Sequence, residues 1–459
     1  MRLYHYRSIE SALLEIEKGT FHFSGRDELN DPLEGYVQAF WHGDKAAWEG
    51  LFRNYICSLM NTLLLLGRGL DRSQLHKFLF VKDIHDFDDI PIGQLFQEAG
   101  DRFWKDKRCR KIFDFYGGKE FCCDASELRL LLKFIHPIAL MICMEIQIEN
   151  QLISPEVAKT YYNKDFIDGL ITMSIEKLCS SLDWDERKLR VRGAENSLLD
   201  QINTYGMHEN DPNKKHSYAD LKKLVAAMLV VEDYPLLYLQ KLIELMYPSN
   251  YVVCFSKSNH NSAMWGHYAD HHKGVCLIYE TTCIDGDEYL LISLERIKST
   301  AFIKVEPVTY GGEQMSSNFF ETLGGLTHSQ IKTWLTGSEG ISKHINVFAD
   351  EERRKLYWKD YRKKSFRKLD IWKYEEEYRI SLSAEFVFHN DVEDRNLKYD
   401  QEFLKGIIFG IETSTDDMIR ILEAIKKSQI VTKEFEFYQA LYDGTAQTIQ
   451  IRKKYMPFV

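Results

Sequence analysis

The residues best suited to chemistry lie in the run Trp372-Lys373-Tyr374-Glu375-Glu376-Glu377-Tyr378-Arg379. Read as a strand, it sends Glu375, Glu377 and Arg379 to one face and Glu376 and Tyr378 to the other. Two carboxylates and a guanidinium cannot share an apolar core without partners, so that face is either wet or a polar site. One reading is an edge strand whose charges are solvated and mutually paired. The other is a carboxylate that orients a ribose hydroxyl or a nucleophile, with Arg379 holding its geometry. Near residue 1, His5 and Arg7 share one face of a short aromatic strand, Leu3 to Tyr6. Histidine can donate a hydrogen bond to a ribose hydroxyl and arginine can hold a pyrophosphate bidentately, although a histidine on such a strand is more often a satisfied core residue.

A third candidate is Cys254-Phe255-Ser256-Lys257-Ser258, a strand ending in hydroxyls. Ser256 lies opposite Phe255 and can face a site at the strand end; with Ser258 it can equally satisfy backbone groups in the turn that follows. Trp265 and Tyr268, one helical turn apart, are most simply core packing. His267 and His271 stand four apart with His260 and His272 nearby, but no Cys or carboxylate holds reliable ligand spacing, so no metal is expected. The phosphate loop of NTPases, the Gly-rich dinucleotide turn, HExxH and the GxSxG elbow do not occur.

The elements that must position these residues come from both ends of the chain. The 459 residues are 44% apolar and 28% charged, as in a soluble globular protein, with a formal net charge of −10 that argues against a general nucleic-acid coat. Nine Cys without a CxxC pair fit reduced thiols, and Met1 to Arg7 has no apolar signal core, so a cytoplasmic protein is expected. Leu128 to Ile148, interrupted by Lys133, His136, Pro137 and Glu145, reads as a buried helix ending near the proline, not a membrane span.

Residues 1–40 supply the first strand, a helix capped by Ser8 and ended by Gly19, a strand Thr20 to Ser24 and a turn at Asn30-Asp31-Pro32. Residues 41–247 are dominated by helical periodicity, as at Leu221, Leu224, Val225, Met228 and Leu229, with a polar break over 209–213. Residues 248–459 return to strands: Tyr251 to Ser256, Gly274 to Glu280, Phe302 to Tyr310, Glu375 to Leu382, Gly406 to Phe409, Glu434 to Tyr438 and Thr448 to Arg452. Helices are expected over Ser262 to His271, Asp350 to Trp372 and Thr415 to Lys427. The pattern predicts an α+β protein: a split mixed or antiparallel β core with a large inserted helical domain. Within it, residues 351–373 hold ten Lys/Arg against four Asp/Glu, with Tyr357, Trp358, Tyr361, Phe366 and Trp372 interleaved. This is either a solvated amphipathic face or a docking surface for nucleic acid or a phosphate-bearing ligand.

With these segments in view, the chain resembles a widespread bacterial family known as domain of unknown function 2971. The matching stretches are LYHYRS, FHFS with LNDPLEG, VVCFSKS, AMWGHYADHHKGVCLIYE, WKYEEEYRI and LKGIIFG, in the family's order. The family name implies no activity. More weakly, the order of elements is similar to the ADP-ribosyltransferase fold. There NAD lies in a cleft between two small sheets, a first-strand residue holds the nicotinamide ribose or phosphate, a Ser orders the site, and a Glu bonds the ribose 2′-hydroxyl. That resemblance implies catalytic roles for His5, Ser256 and Glu377 (or Glu375), with Tyr6, Arg7, Ser24, Ser258, Trp265, Tyr268 and Arg379 around the NAD. Ser256-Lys257-Ser258 departs from the family in lacking its central Thr. The function implied is an NAD-dependent effector, of antiphage or toxin type, that transfers ADP-ribose to protein or nucleic acid or hydrolyses NAD. The alternatives are a non-catalytic sensor or binding module, and a metal-dependent nuclease using Glu375, Glu377 and Asp31.

Overall fold

The computed structural model describes residues 1–31, 33–68, 91–117, 122–154, 230, 233–294, 298–383, 392–428 and 435–456. The expected helix around Leu221 to Leu229, the break over 209–213, and Pro32 lie outside them. The chain divides into two compact units, one of Met1–Val37, Pro248–Met315 and Trp358–Val459, the other of Gln38–Tyr247 and Ser316–Tyr357.

The first unit is α+β. Its ten-stranded sheet contains β1 (Arg2–Arg7), β2 (Asn250–Ser256), β3 (Val275–Glu280), β4 (Thr282–Ile284), β5 (Asp287–Leu294), β6 (Ser299–Pro307), β7 (Glu377–Ser383), β8 (Leu404–Phe409), β9 (Glu436–Asp443) and β10 (Thr448–Lys453). Their order across the sheet is β10-β9-β8-β3-β1-β2-β7-β6-β5-β4. All neighbours run antiparallel except β8 and β9, which are parallel. Helix α1 (Ile9–Lys18) starts on the Ser8 cap and stops at Gly19, whose φ of 61° needs a residue without a side chain. It buries Ile9, Ala12 and Ile16 with Phe21, Phe23, Val253, Phe255, Leu277 and Ile407 in one core. A second core holds Tyr6, Met264, Trp265, Cys276, Ile278 and Ile408, with Met264 and Trp265 supplied by α2 (Ser262–Tyr268).

The sheet is thinnest at one seam. β1 pairs with β3 along its whole length, Arg2 opposite Glu280 through Arg7 opposite Val275, and β2 pairs with β7 from Asn250 to Ser256. Between β1 and β2 the register holds a single pair, Tyr4 opposite Ser256. Beyond it the strands part, and Ser24 takes the vacated position on β2, exchanging hydrogen bonds of 2.8 and 3.0 Å with Val252. The sheet is thus two five-stranded halves that meet at one residue pair.

Two expected elements differ here. The long helix ends at Ser365, not Trp372: it spans Glu351–Ser365, after which Arg367–Lys368 pairs in parallel with Thr309–Tyr310 and Asp370–Glu375 coils into a 3-10 helix. A sheet bridge and a tight helix each satisfy backbone groups that the longer helix would have paired internally. Likewise α2 closes at Tyr268, because Asp270, His271 and His272 all adopt left-handed φ (45°, 52° and 69°), so His267 and His271 do not share a helix face.

The second unit is built on the helices Lys45–Gly67, Pro91–Lys105, Lys107–Gly117, Ala125–Glu149 and Tyr234–Met246. Residues 38–40 and 316–357, expected with the α/β core, join this unit. Ser316–Asn318 lies parallel to Gln38–Trp41, and Phe319 stacks on Trp41 at 5.6 Å. Ala125–Glu149 continues through Pro137 instead of ending there. It is long and apolar enough to cross a membrane, yet 78% of its apolar window is buried inside the protein.

Candidate functional site

Where β1 and β2 part, a cavity of about 210 Å³ opens. One wall is Tyr4 to Arg7 and the other is Val252 to Ser256, and the lining also includes Ser24, Asn30, Tyr268, Lys368, Glu375, Glu377 and Arg379. His5, Ser256 and Glu377, picked from three distant segments, therefore line one cavity, with Tyr6, Arg7, Ser24, Tyr268 and Arg379. Ser258 and Trp265 are buried but do not line it. Ser258 donates its N–H to Ser256 Oγ (3.1 Å), and Trp265 donates Nε1–H to the Asn259 carbonyl (2.9 Å) while packing edge-on to Tyr6.

The carboxylates do not sit as plain strand alternation would place them. Glu375 closes the 3-10 helix, Glu376 is left-handed (φ 45°), and the strand starts only at Glu377. The turn nevertheless brings Glu375 and Glu377 to the same ammonium: Lys368 Nζ donates to Glu375 Oε2 at 2.6 Å and to Glu377 Oε2 at 3.3 Å. Arg379 clamps Glu377 with Nε at 2.6 Å and its terminal nitrogen at 2.9 Å, gives a third bond of 3.0 Å to the Ser365 carbonyl, and pairs with Glu34. Glu34 also lies 3.6 Å from Lys368. Tyr268 donates its hydroxyl to Glu375 Oε1 at 2.5 Å. All five charged groups are at most 5% exposed. The position between the two carboxylates, where a nuclease reading would seat a cation, is filled by the Lys368 ammonium.

Burial would raise both carboxyl pKa values, but the neighbours divide them. For Glu377, burial is outweighed by Arg379 and Lys368, which hold its pKa down at about 2. For Glu375, burial, reinforced by the charge of Glu377, prevails over Lys368 and Tyr268, and its pKa is raised. Lys368 is raised as well: burial opposes its charge, and Glu377, Glu34 and Glu375 more than restore it. Two carboxyls in one pocket displaced in opposite directions is the pattern from which acid–base roles are assigned.

On the other wall, His5 Nδ1 stands 3.0 Å from Glu15 Oε1. Glu15 also accepts from Arg7 Nε (2.9 Å) and the Tyr279 hydroxyl (2.6 Å). Burial works against its charge, but His5 and Arg7 lower its pKa to about 2. An ionised carboxylate can only accept, so the His5 proton is on Nδ1, and Nε2, without a partner among the described residues, carries the lone pair. Burial and then Arg7 lower the His5 pKa, keeping the ring neutral. Sequence reasoning gave His5 a donor role toward a ribose; this geometry makes its open nitrogen an acceptor.

Ser256 Oγ donates to the Glu375 carbonyl (2.7 Å) and accepts from Ser258, so it orders the turn before Glu377 and has no hydrogen left to offer a ligand. Three members of the site escaped sequence reasoning. Glu15 was visible as an acid on the apolar stripe of α1, and Glu34 lies in the quoted LNDPLEG segment. Lys368 was hidden inside a basic run read as one helix.

Residues 264–380 match the family model described as Protein of unknown function (DUF2971), so the likeness drawn from the motifs holds over that segment, which carries most of α2 and Lys368, Glu375 and Glu377. No curated protein and no solved structure matches the chain.

Proposed function

We propose that the first unit is an NAD-using enzyme of ADP-ribosyltransferase type, with the nicotinamide ribose seated in the cavity between β1 and β2. The observation that carries the reading is the seam: a sheet split at one residue pair, with His5 on one lip and Glu375 and Glu377 on the other. At about 210 Å³ the cavity is below the roughly 300–1,000 Å³ of pockets that enclose a whole ligand, which suits one ribosyl end of a dinucleotide whose remainder lies outside. The reaction breaks the bond between ribose C1′ and the nicotinamide nitrogen; the bonding pair leaves with nicotinamide, and positive charge develops on the ribose. Glu377, held ionised, stabilises that charge electrostatically. Glu375, with its raised pKa, is the better base and takes the proton of the acceptor, which is water or a group on a protein or nucleic-acid target. His5 Nε2 accepts from a ribose hydroxyl, and Arg7, a quarter exposed on its side chain at the same lip, suits the pyrophosphate.

The mutual pairing of Glu377 with Arg379 favours a second reading, a pocket that binds a nucleotide without cleaving it. One experiment separates the two: NAD binding by calorimetry, run beside nicotinamide release. Binding with release supports the enzyme, binding without release selects the non-catalytic pocket, and no binding at millimolar NAD removes both.

A further inference from the structure

The second unit contains a larger cavity, about 540 Å³, within the size range of small-molecule sites. Buried Phe96 and Trp334 form its apolar side. Two cations open onto it. Arg53 binds Glu49 at 2.8 Å and Asp101 at 3.5 Å through one terminal nitrogen only; its Nε is buried without a hydrogen bond, and its other terminal nitrogen has no partner among the described residues. Lys332 on the rim is exposed, and its ammonium likewise meets no partner among them. Among the described residues Asp101 is the only carboxylate of the lining, and Lys105 lies 3.8 Å from it. The lining itself thus holds two cations and one carboxylate, and the buried Glu49 behind Arg53 leaves the guanidinium's remaining N–H groups as the open donors.

The glycines point the same way. Gly50 is required by packing, because a Cβ there would lie 1.8 Å from the Trp334 carbonyl oxygen. Gly100 is not: in the helix Pro91–Lys105 its Cβ would meet only Arg53 Cγ, at 3.7 Å. A glycine in a helix interior is destabilising relative to alanine, and here its effect is to leave the cavity wall open beside the guanidinium.

We propose that this cavity binds a small organic anion, one acidic group on an apolar body, with the acid between Arg53 and Lys332 and the body against Phe96 and Trp334. The test is calorimetry on the full chain with benzoate and with inorganic phosphate as probes. Benzoate should bind with one-to-one stoichiometry and at least tenfold more tightly than phosphate. Lys332→Glu, a surface change, and Gly100→Leu, which fills the open wall, should each weaken benzoate at least tenfold while the thermal midpoint stays near that of the wild type. Equal affinity for the two probes, benzoate binding untouched by both substitutions, or no binding at millimolar benzoate would each overturn the proposal.

Discussion

Glu375 and Glu377 share a single ammonium: Lys368 Nζ stands 2.6 Å from one carboxylate and 3.3 Å from the other. Among the described residues only Glu377 has a second cation, Arg379, which holds its pKa low, while burial raises that of Glu375. The two should therefore respond differently to loss of charge. Glu377→Gln is expected to cut nicotinamide release by ~100-fold or more. Glu376→Gln, whose side chain is exposed, should leave it within about twofold. Steady-state kinetics on folded variants checks both, and full activity in Glu377→Gln would remove that residue from the mechanism.

Lys368 is the counter-ion for three buried carboxylates, so Lys368→Met should destabilise the first unit by about 3–5 kcal/mol. Adding Glu375→Gln to that variant removes one stranded charge and should recover part of the loss. Denaturant titration of the single and double variants measures it; strict additivity would show that the two residues are not coupled.

Acid should expose the low-pKa pair. Glu15 and Glu377 have pKa values of about 2 in the folded protein against an ordinary 4.5. Folded-state values below the unfolded ones mean that their contribution is complete above pH 4.5 and is lost as pH falls toward 2. Stability measured from pH 6 to pH 2.5 should drop through that window, and Glu15→Gln should flatten the drop. An unchanged profile would contradict the ionised Glu15.

Glu15→Gln also tests the histidine. In the wild type, ¹⁵N spectra should show His5 with a protonated Nδ1 and a bare Nε2 at pH 7. The variant, which can donate as well as accept, should mix the two tautomers. Protonation of both ring nitrogens at pH 7 in the wild type would refute the neutral ring.

The basic run can be tested by salt titration. Of Arg362, Lys363 and Lys364, Arg362 is bound to Glu306 and Lys364 is half-buried with its pKa lowered to about 8 by burial. Lys363 alone is exposed without a partner among the described residues. Replacing all three by Ala should lower the slope of log K against log salt for duplex DNA by ~0.9, one phosphate contact and not three. Absence of wild-type binding even at low salt would end the nucleic-acid docking reading.

Much of the α/β frame was legible because capping and alternation are local signals. Ser8, Gly19 and the spacing of Ile9 and Ile16 specify α1, and Thr415–Lys427 has the expected bounds, with a Ser414 cap and acidic first turn at its start and Lys426 and Lys427 in its last turn. Several residues lining the cavity were legible, but Glu15, Glu34, Lys368 and the wiring were not. Glu375 and Glu377 were read as neighbours on one strand face; a left-handed Glu376 breaks that strand and still returns both to Lys368. The stop at Ser365 depends on a parallel bridge to Thr309–Tyr310, some 60 residues away, and no local pattern reports such a pairing. Glu15 went unassigned because its place on the apolar stripe makes sense only with the tertiary contacts to His5, Arg7 and Tyr279 that make its burial tolerable.

The seam at Tyr4 and Ser256 also bears on how the chain closes on itself. Val37 and Pro248 bound the long excursion into the second unit, and the strand contact it must return to is one pair wide. For a flexible excursion the entropy of closure grows only logarithmically, each doubling of length adding about 0.6 kcal/mol. On that scaling, a flexible insert of any moderate length at this point would cost the first unit little. Because 316–357 also belongs to the second unit, where Ser316–Asn318 pairs with Gln38–Trp41, an accessory domain can be exchanged on this β scaffold only by replacing both excursions together, 38–247 and 316–357.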